Sequence, residues 1–162
     1  MSATTQRGSR ISLRGMAVVL VLCALVVTGY MSFQKLTNQQ LQCAEEGLFN
    51  CSLLENSAWA ELTLSPSIRI PTALLGFLTH VTLLTILLLE NRIGLLRDWG
   101  KVLMFGITLF GFLYHCYLTF YVSIVVFGAL CPYCLTAHVI MTLLLIISGI
   151  RLYQSYRVPA SE

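Results

Sequence analysis

The sequence predicts an all-α integral membrane protein, a bundle of four transmembrane helices, and three observations predict it. Apolar residues make up 57% of the chain and charged residues 10%, whereas a soluble domain carries roughly a quarter charged residues. The apolar residues fall in four blocks, each able to cross a hydrocarbon layer about 30 Å thick, which needs about 20 helical residues. The basic residues flank those blocks unevenly. The formal charge of +3 is therefore read as a topology signal, with no nucleic acid among the expected partners.

The first block runs from about Ile11 to Phe33, behind a polar start, Met1 to Arg10, expected to be disordered. A cleaved signal peptide is the competing reading, but Met16 to Phe33 is long and no small-x-small site follows it. The second block runs from Ile70 to Leu89, the third from Val102 to about Val126, and the fourth from about Leu130 to Ile150. Pro71 is expected in the first turn of the second helix, where its missing N–H costs nothing. Gly106 and Gly111 in the third block read as close-packing positions. What remains is too short for a second domain, so residues 1–162 form one membrane domain.

Basic residues precede the first span (Arg7, Arg10, Arg14), separate the second from the third (Arg92, Arg97, Lys101) and follow the fourth (Arg151, Arg157). The long connection Gln34–Arg69 sets only Lys35 and Arg69 beside Glu45, Glu46, Glu55 and Glu61. Basic loops stay cytoplasmic. Both termini are thus expected inside. The long loop and the short turn near Gly128 are expected outside the plasma membrane, or in the lumen if the membrane is that of the endoplasmic reticulum. Within the loop, Leu53, Leu54, Ala58, Trp59 and Leu62 recur at helical spacing. They predict an amphipathic helix from Ser52 to Leu62, capped by Asn50 or Cys51 and lying on the membrane face of the bundle.

Cysteine carries the chemistry. Cys131-Pro-Tyr-Cys134 is a C-x-x-C motif at the mouth of the fourth helix. Pro132 suits a first helical position, and the helix N-terminus favours a thiolate, the species that attacks disulfides or quinones. Cys43 and Cys51 form a second pair around Gly47, which eases chain reversal. Both pairs face the same side, so thiol–disulfide exchange can link them through a mixed disulfide. Such transfer needs Cys51 and Cys131 with Cα atoms roughly 5.5–6 Å apart. Two other uses of the four sulfurs remain open: a static disulfide stapling the loop, and a four-thiolate zinc site in a non-enzymatic metal-binding protein. Cys23 and Cys116 read as small buried hydrophobes. His138 lies one turn deeper than Cys134 on the same helix face, where an imidazole can hydrogen-bond a quinone carbonyl. His80 and His115 read as hydrogen bonders that pack the bundle.

The chain resembles the vitamin K epoxide reductase family. The resemblance spans the first to the fourth helix. It rests on the loop pair Cys43 and Cys51, on Ser57 and Trp59 six and eight residues after Cys51, on Ile70-Pro71-x-Ala-Leu-Leu-Gly76, and on C-x-x-C opening the fourth helix. It implies a four-helix bundle around a quinone of the menaquinone or ubiquinone type. It implies that Cys43 exchanges with an extracytoplasmic thioredoxin-fold partner, Cys51 passes electrons to Cys131, and Cys134 faces the quinone. Thr72, Ser57 and Trp59 join His138 as quinone contacts. Animal members that reduce the epoxide carry Tyr where this chain has His138 and Asn where it has Thr72. Relatives with a fused thioredoxin-like domain differ from the prokaryotic-type arrangement expected here, with a separately encoded partner. Quinone reduction driving disulfide formation is therefore the expected function, and reduction of vitamin K epoxide or vitamin K is its alternative.

Overall fold

The computed structural model describes residues 3–39, 41–43, 47–65 and 68–157. Helix α1 spans Ala3–Leu36, a five-residue α2 spans Cys51–Glu55, and a single 3₁₀ turn covers Ala58–Ala60. Strands β1 (Glu61–Ser65) and β2 (Ile68–Pro71) follow, then α3 (Thr72–Leu89) and α4 (Gly94–Cys116). Helix α4 continues without a break as a π-helix, Tyr117–Val126, and α5 spans Pro132–Arg157. Four segments have the length and apolarity to cross a membrane: Leu13–Leu36, Thr72–Leu89, Gly94–Val126 and Pro132–Arg157. The four-span expectation holds, with each helix longer or shifted at its ends. The backbone from Ala3 to Arg10, expected to be disordered, belongs to α1, while Met1 and Ser2 lie outside the described residues.

Helix α1 packs against α3 and α5, and α4 packs against α5. Small residues make this close contact possible. Ala17, Val21 and Ala24, all fully buried, present one narrow face to Leu83, Ile86 and Leu87 of α3 and to Ile140, Leu144 and Ile147 of α5. Between membrane helices such packing, rather than hydrophobic burial, drives association. A Cβ on Gly111 would lie 2.8 Å from the Met141 methyl, so that glycine does sit at a close approach, whereas a Cβ on Gly106 would meet nothing.

The end of the bundle carrying Glu90 and Arg151 is polar. Arg151 and Glu90 form a buried ion pair at 2.6 Å, and Arg151 also donates to Met104 Sδ at 3.3 Å. Arg14 donates to the Leu87 carbonyl at 2.6 and 3.1 Å, and Lys101 to Ser155 at 3.1 Å. Twenty residues of helix, about 30 Å, separate Arg151 from Cys131. The bundle thus has a basic end and a cysteine end.

At the cysteine end the expected amphipathic helix over Ser52–Leu62 breaks after one turn. Asn50 caps α2 as expected, accepting from Leu53 N at 2.9 Å. Asn56 Nδ2 and Ser57 Oγ then donate to the carbonyls of Ser52 and Leu54, at 3.0 and 2.7 Å. These short side chains satisfy the carbonyls that a continuing helix would use. Glu61 to Ser65 instead pairs antiparallel with Ile68 to Pro71, Leu62 opposite Ile70 and Thr63 opposite Arg69, with an irregularity before Ser65. The sequence Glu-Leu-Thr-Leu-Ser alternates with period two, the pattern of a strand. Pro71 ends β2 and immediately precedes α3, one position earlier than expected. Pro66 and Ser67 lie outside the described residues.

Candidate redox site

Two segments distant in sequence build the site. Gly47 adopts a left-handed conformation with φ +62°, which glycine takes without steric cost, and it turns the loop back towards the bundle. Phe49 then pairs in parallel with Leu130. Leu130 N donates to Leu48 O at 2.8 Å, and Asn50 N donates to Leu130 O at 3.1 Å. Gly128, also at φ +62°, makes the complementary turn after the π-helix. The next residue on each side of this short bridge is a cysteine.

Cys43 and Cys51 are joined as a disulfide. Cys51 Sγ lies 3.7 Å from Cys131 Sγ, and both residues are almost wholly buried, at 1% and 3% exposure. Leu41 completes their buried cluster, with Met31, Cys43, Leu54, Tyr133 and Cys134 packed around it. Cys131 and Cys134 are free thiols. The Cys134 thiol, hydrogen-bonding to Cys131, holds the Cys131 thiol down at about 7. Burial works against this, and the backbone N–H groups of Cys134 and Tyr133 reinforce it. Those N–H groups belong to the first turn of α5, so the helix start does favour the thiolate. Near neutral pH a large fraction of Cys131 is nucleophilic and faces a disulfide sulfur. With Cys43 and Cys51 bonded to each other, two of the four sulfurs of the alternative zinc site are committed elsewhere.

A cavity of about 100 Å³ opens beside these sulfurs, reaching Cys51, Cys131 and Cys134. Ser57, Trp59 and Thr72 all line it. Ser57 and Thr72 spend their hydroxyl protons on backbone carbonyls, Leu54 at 2.7 Å and Ala60 at 3.0 Å. Thr72 thereby ties the 3₁₀ turn to the start of α3. The Trp59 ring meets Tyr117 edge-on at 5.9 Å. His138 is not among the lining residues. Its ring lies among Phe112, Phe120 and His115, with centroids 5.6, 5.9 and 6.2 Å away. Cys23, expected to be buried, is exposed on the bundle surface, and Cys116 is half-buried.

Sequence reasoning passed over several residues that shape the site. The Tyr133 hydroxyl donates to the Gln42 carbonyl at 3.0 Å, so the C-x-x-C motif itself fastens the chain just before Cys43. Lys35 Nζ donates to the Glu55 carbonyl at 2.9 Å and pairs with Glu61 at 3.3 Å, closing one side of the cavity. Glu55 accepts from Leu41 N at 3.0 Å. On α4, Ser123 Oγ donates to Leu118 O, five residues back, at 3.0 Å, and Leu118, Val122 and Ser123 line the cavity. The wider turn of a π-helix, a form frequent at functional sites, brings these three residues together. The signal available in sequence was Tyr133, an amphipathic residue inside a redox motif.

Four membrane-length helices carrying two touching cysteine pairs at one end define a membrane redox protein. The model of the vitamin K epoxide reductase family matches residues 16–149, most of the chain. The chain belongs to that family. It is a membrane oxidoreductase of the vitamin K epoxide reductase type, and proteins of this family use quinones as electron partners.

Proposed function

We propose that the protein carries electrons from an extracytoplasmic thioredoxin-fold dithiol through Cys43/Cys51 to Cys131/Cys134, and from there to a membrane quinone of the menaquinone or ubiquinone type. The outcome is net disulfide formation in the partner's substrates. The 3.7 Å separation of the Cys51 and Cys131 sulfurs carries this reading. It is a contact across which exchange needs no domain motion.

The relay runs in balanced steps. An external dithiol reduces Cys43–Cys51 and leaves as a disulfide. The Cys51 thiolate attacks Cys131 of an oxidised Cys131–Cys134 pair, forms Cys51–Cys131 and releases the Cys134 thiolate. The Cys43 thiolate attacks Cys51, re-forms Cys43–Cys51 and frees the Cys131 thiolate. The resulting state, outer pair oxidised and inner pair reduced, is the state of this structure. Oxidation of the inner dithiol then gives two electrons and two protons to the quinone. Cys134, on the cavity wall, is the cysteine that faces it, with Ser57, Trp59 and Thr72 around it and His138 deeper. The charge asymmetry supports both termini in the cytoplasm and the cysteine end outside a prokaryotic plasma membrane.

The test is covalent capture. Cys43→Ala should accumulate a Cys51–Cys131 disulfide, read by peptide mapping without reductant. Cys51→Ala should leave Cys43 bonded to the partner protein. Full quinone-linked activity in both variants would contradict the relay. Epoxide reduction is the second reading, because the family takes its description from it. Quinone and epoxide assayed side by side on the purified protein separate the two.

A further inference from the structure

The hold on Cys43 carries an inference whose consequence for electron flow rests on the relay reading. In that relay Cys43 has two tasks that conflict. It leaves Cys51 when an external thiol takes it, and it returns to Cys51 to free Cys131. How closely the chain keeps Cys43 beside Cys51 sets the balance between the two. The chain just before Cys43 is held at three points. The Leu41 side chain is buried with Cys51 and Cys131. Leu41 N donates to Glu55 Oε2 at 3.0 Å. The Gln42 carbonyl accepts from the Tyr133 hydroxyl at 3.0 Å.

These holds differ in what they tie together. Glu55 ends α2, the helix that Cys51 begins, so its bond joins Leu41 to the outer pair's own helix. Tyr133 stands between Cys131 and Cys134 in sequence, so its bond joins Gln42 to the inner pair's motif. The Tyr133 ring packs on the buried cysteine cluster, with its centroid 5.6 Å from that of Tyr30. The Tyr30 hydroxyl accepts from Gln34, a buried residue, at 3.2 Å. Packing thus fixes the Tyr133 ring, and its hydroxyl reaches a backbone carbonyl 91 residues earlier in the chain.

We propose that Tyr133 is a positioning residue: its hydroxyl clasps the chain beside Cys43 and so favours the closed Cys43–Cys51 disulfide over the forms in which Cys51 is free or bonded to Cys131. An anchor one residue before Cys43 confines that thiol near Cys51 and raises its effective concentration there. In the step this serves, the Cys43 thiolate attacks Cys51 of the Cys51–Cys131 disulfide. The Cys43–Cys51 bond forms, the Cys51–Cys131 bond breaks, and Cys131 leaves as the thiolate. Both electrons then lie on the inner pair. The clasp is closed in a structure with that arrangement, outer pair bonded and inner pair free. The same hold makes the outer pair harder for an external dithiol to reduce.

The experiment equilibrates the full chain in anaerobic glutathione buffers of graded ratio, quenches with acid and alkylates the free thiols. Peptide mapping then reads the Cys43–Cys51, Cys51–Cys131 and Cys131–Cys134 disulfides separately. Tyr133→Phe keeps the ring and loses the clasp. Its Cys43–Cys51 disulfide should open at about a third of the parent's [GSH]²/[GSSG] ratio, as loss of one exposed hydrogen bond implies. The ratio of Cys43–Cys51 to Cys51–Cys131 should fall by as much. Tyr30→Phe, which leaves the Gln42 bond in place, should match the parent. The Cys131–Cys134 midpoint, taken in a Cys51→Ala background, should not move with Tyr133→Phe, which reports an intact fold. An outer pair as hard to reduce in Tyr133→Phe as in the parent overturns the proposal. So does an equal shift of the inner pair, or the same shift in Tyr30→Phe. Glutathione opens the outer pair without any transfer to Cys131, so failure of the Cys51–Cys131 capture would count against the relay, while the outer midpoint alone decides the role of Tyr133.

Discussion

Cys131 owes its reactivity to one neighbour. Its thiol is held at about 7 chiefly by the hydrogen bond from Cys134, against about 8.5 for a free cysteine. A lowered thiol value means that the thiolate is already populated at neutral pH and disappears as pH falls below about 7. The thiolate absorbance that depends on Cys131, taken as the difference from Cys131→Ser, should therefore rise with a midpoint near 7. In Cys134→Ala the midpoint should move upward, because burial then acts with its main opponent removed. A midpoint that stays put in Cys134→Ala would mean that the α5 backbone alone sets the value. At this scale much of the site was legible. The four cysteines were found by spacing, and Ser57, Trp59 and Thr72 by resemblance, and all of these residues gather at the cysteine end. The histidines were harder to read. Which ring nitrogen finds a partner depends on neighbours that no spacing rule reports: His80, read as a hydrogen bonder that packs the bundle, bonds the Gly76 carbonyl of its own helix.

The short α2 gives Cys51 its place. A five-residue helix is far below the length that is stable alone, so its ends must be held from outside. Asn50 holds its start: its side chain caps Leu53 N, and its backbone N–H donates to the Leu130 carbonyl, while Asn56 and Ser57 close its other end. Asn50→Ala removes the cap and the bond that the Ser52 hydroxyl donates to the same oxygen, at a cost of about 1 kcal/mol by the usual range for such caps. Because the loss falls on the residue next to Cys51, it should slow Cys51–Cys131 capture several-fold while the spectroscopic unfolding midpoint of the bundle barely moves. Capture at the parent rate would show that the Phe49–Leu130 bridge is sufficient. This element was the least legible in sequence. Leu53 to Leu62 carries enough apolar residues at helical spacing to imitate a longer helix. The side-chain bonds of Asn56 and Ser57 that end it, and the pairing of Leu62 with Ile70, lie outside any periodicity count. The π-helical stretch was equally hidden, since an all-apolar span looks the same however wide its turns are.

The molecule as a whole separates two tasks along one axis. The end bearing Arg14, Lys101 and the Glu90–Arg151 pair is fixed by charge and hydrogen bonding, and a core of small and aliphatic side chains fills the middle. The opposite end gathers the sulfurs and the cavity. Composition alone revealed this architecture, because the hydrocarbon layer forces spans of a set length and the basic residues mark one side. The proposed relay requires electrical continuity from the loop pair to the cavity. Anaerobic titration of the fully reduced protein with quinone, without any partner, measures that continuity as hydroquinone formed per chain. Two connected dithiols should yield about two hydroquinones in the parent protein and about one in Cys51→Ala, each dithiol supplying two electrons. A yield of one from the parent, unchanged by Cys51→Ala, would mean that the loop cysteines are a staple and that no electrons pass between the two pairs.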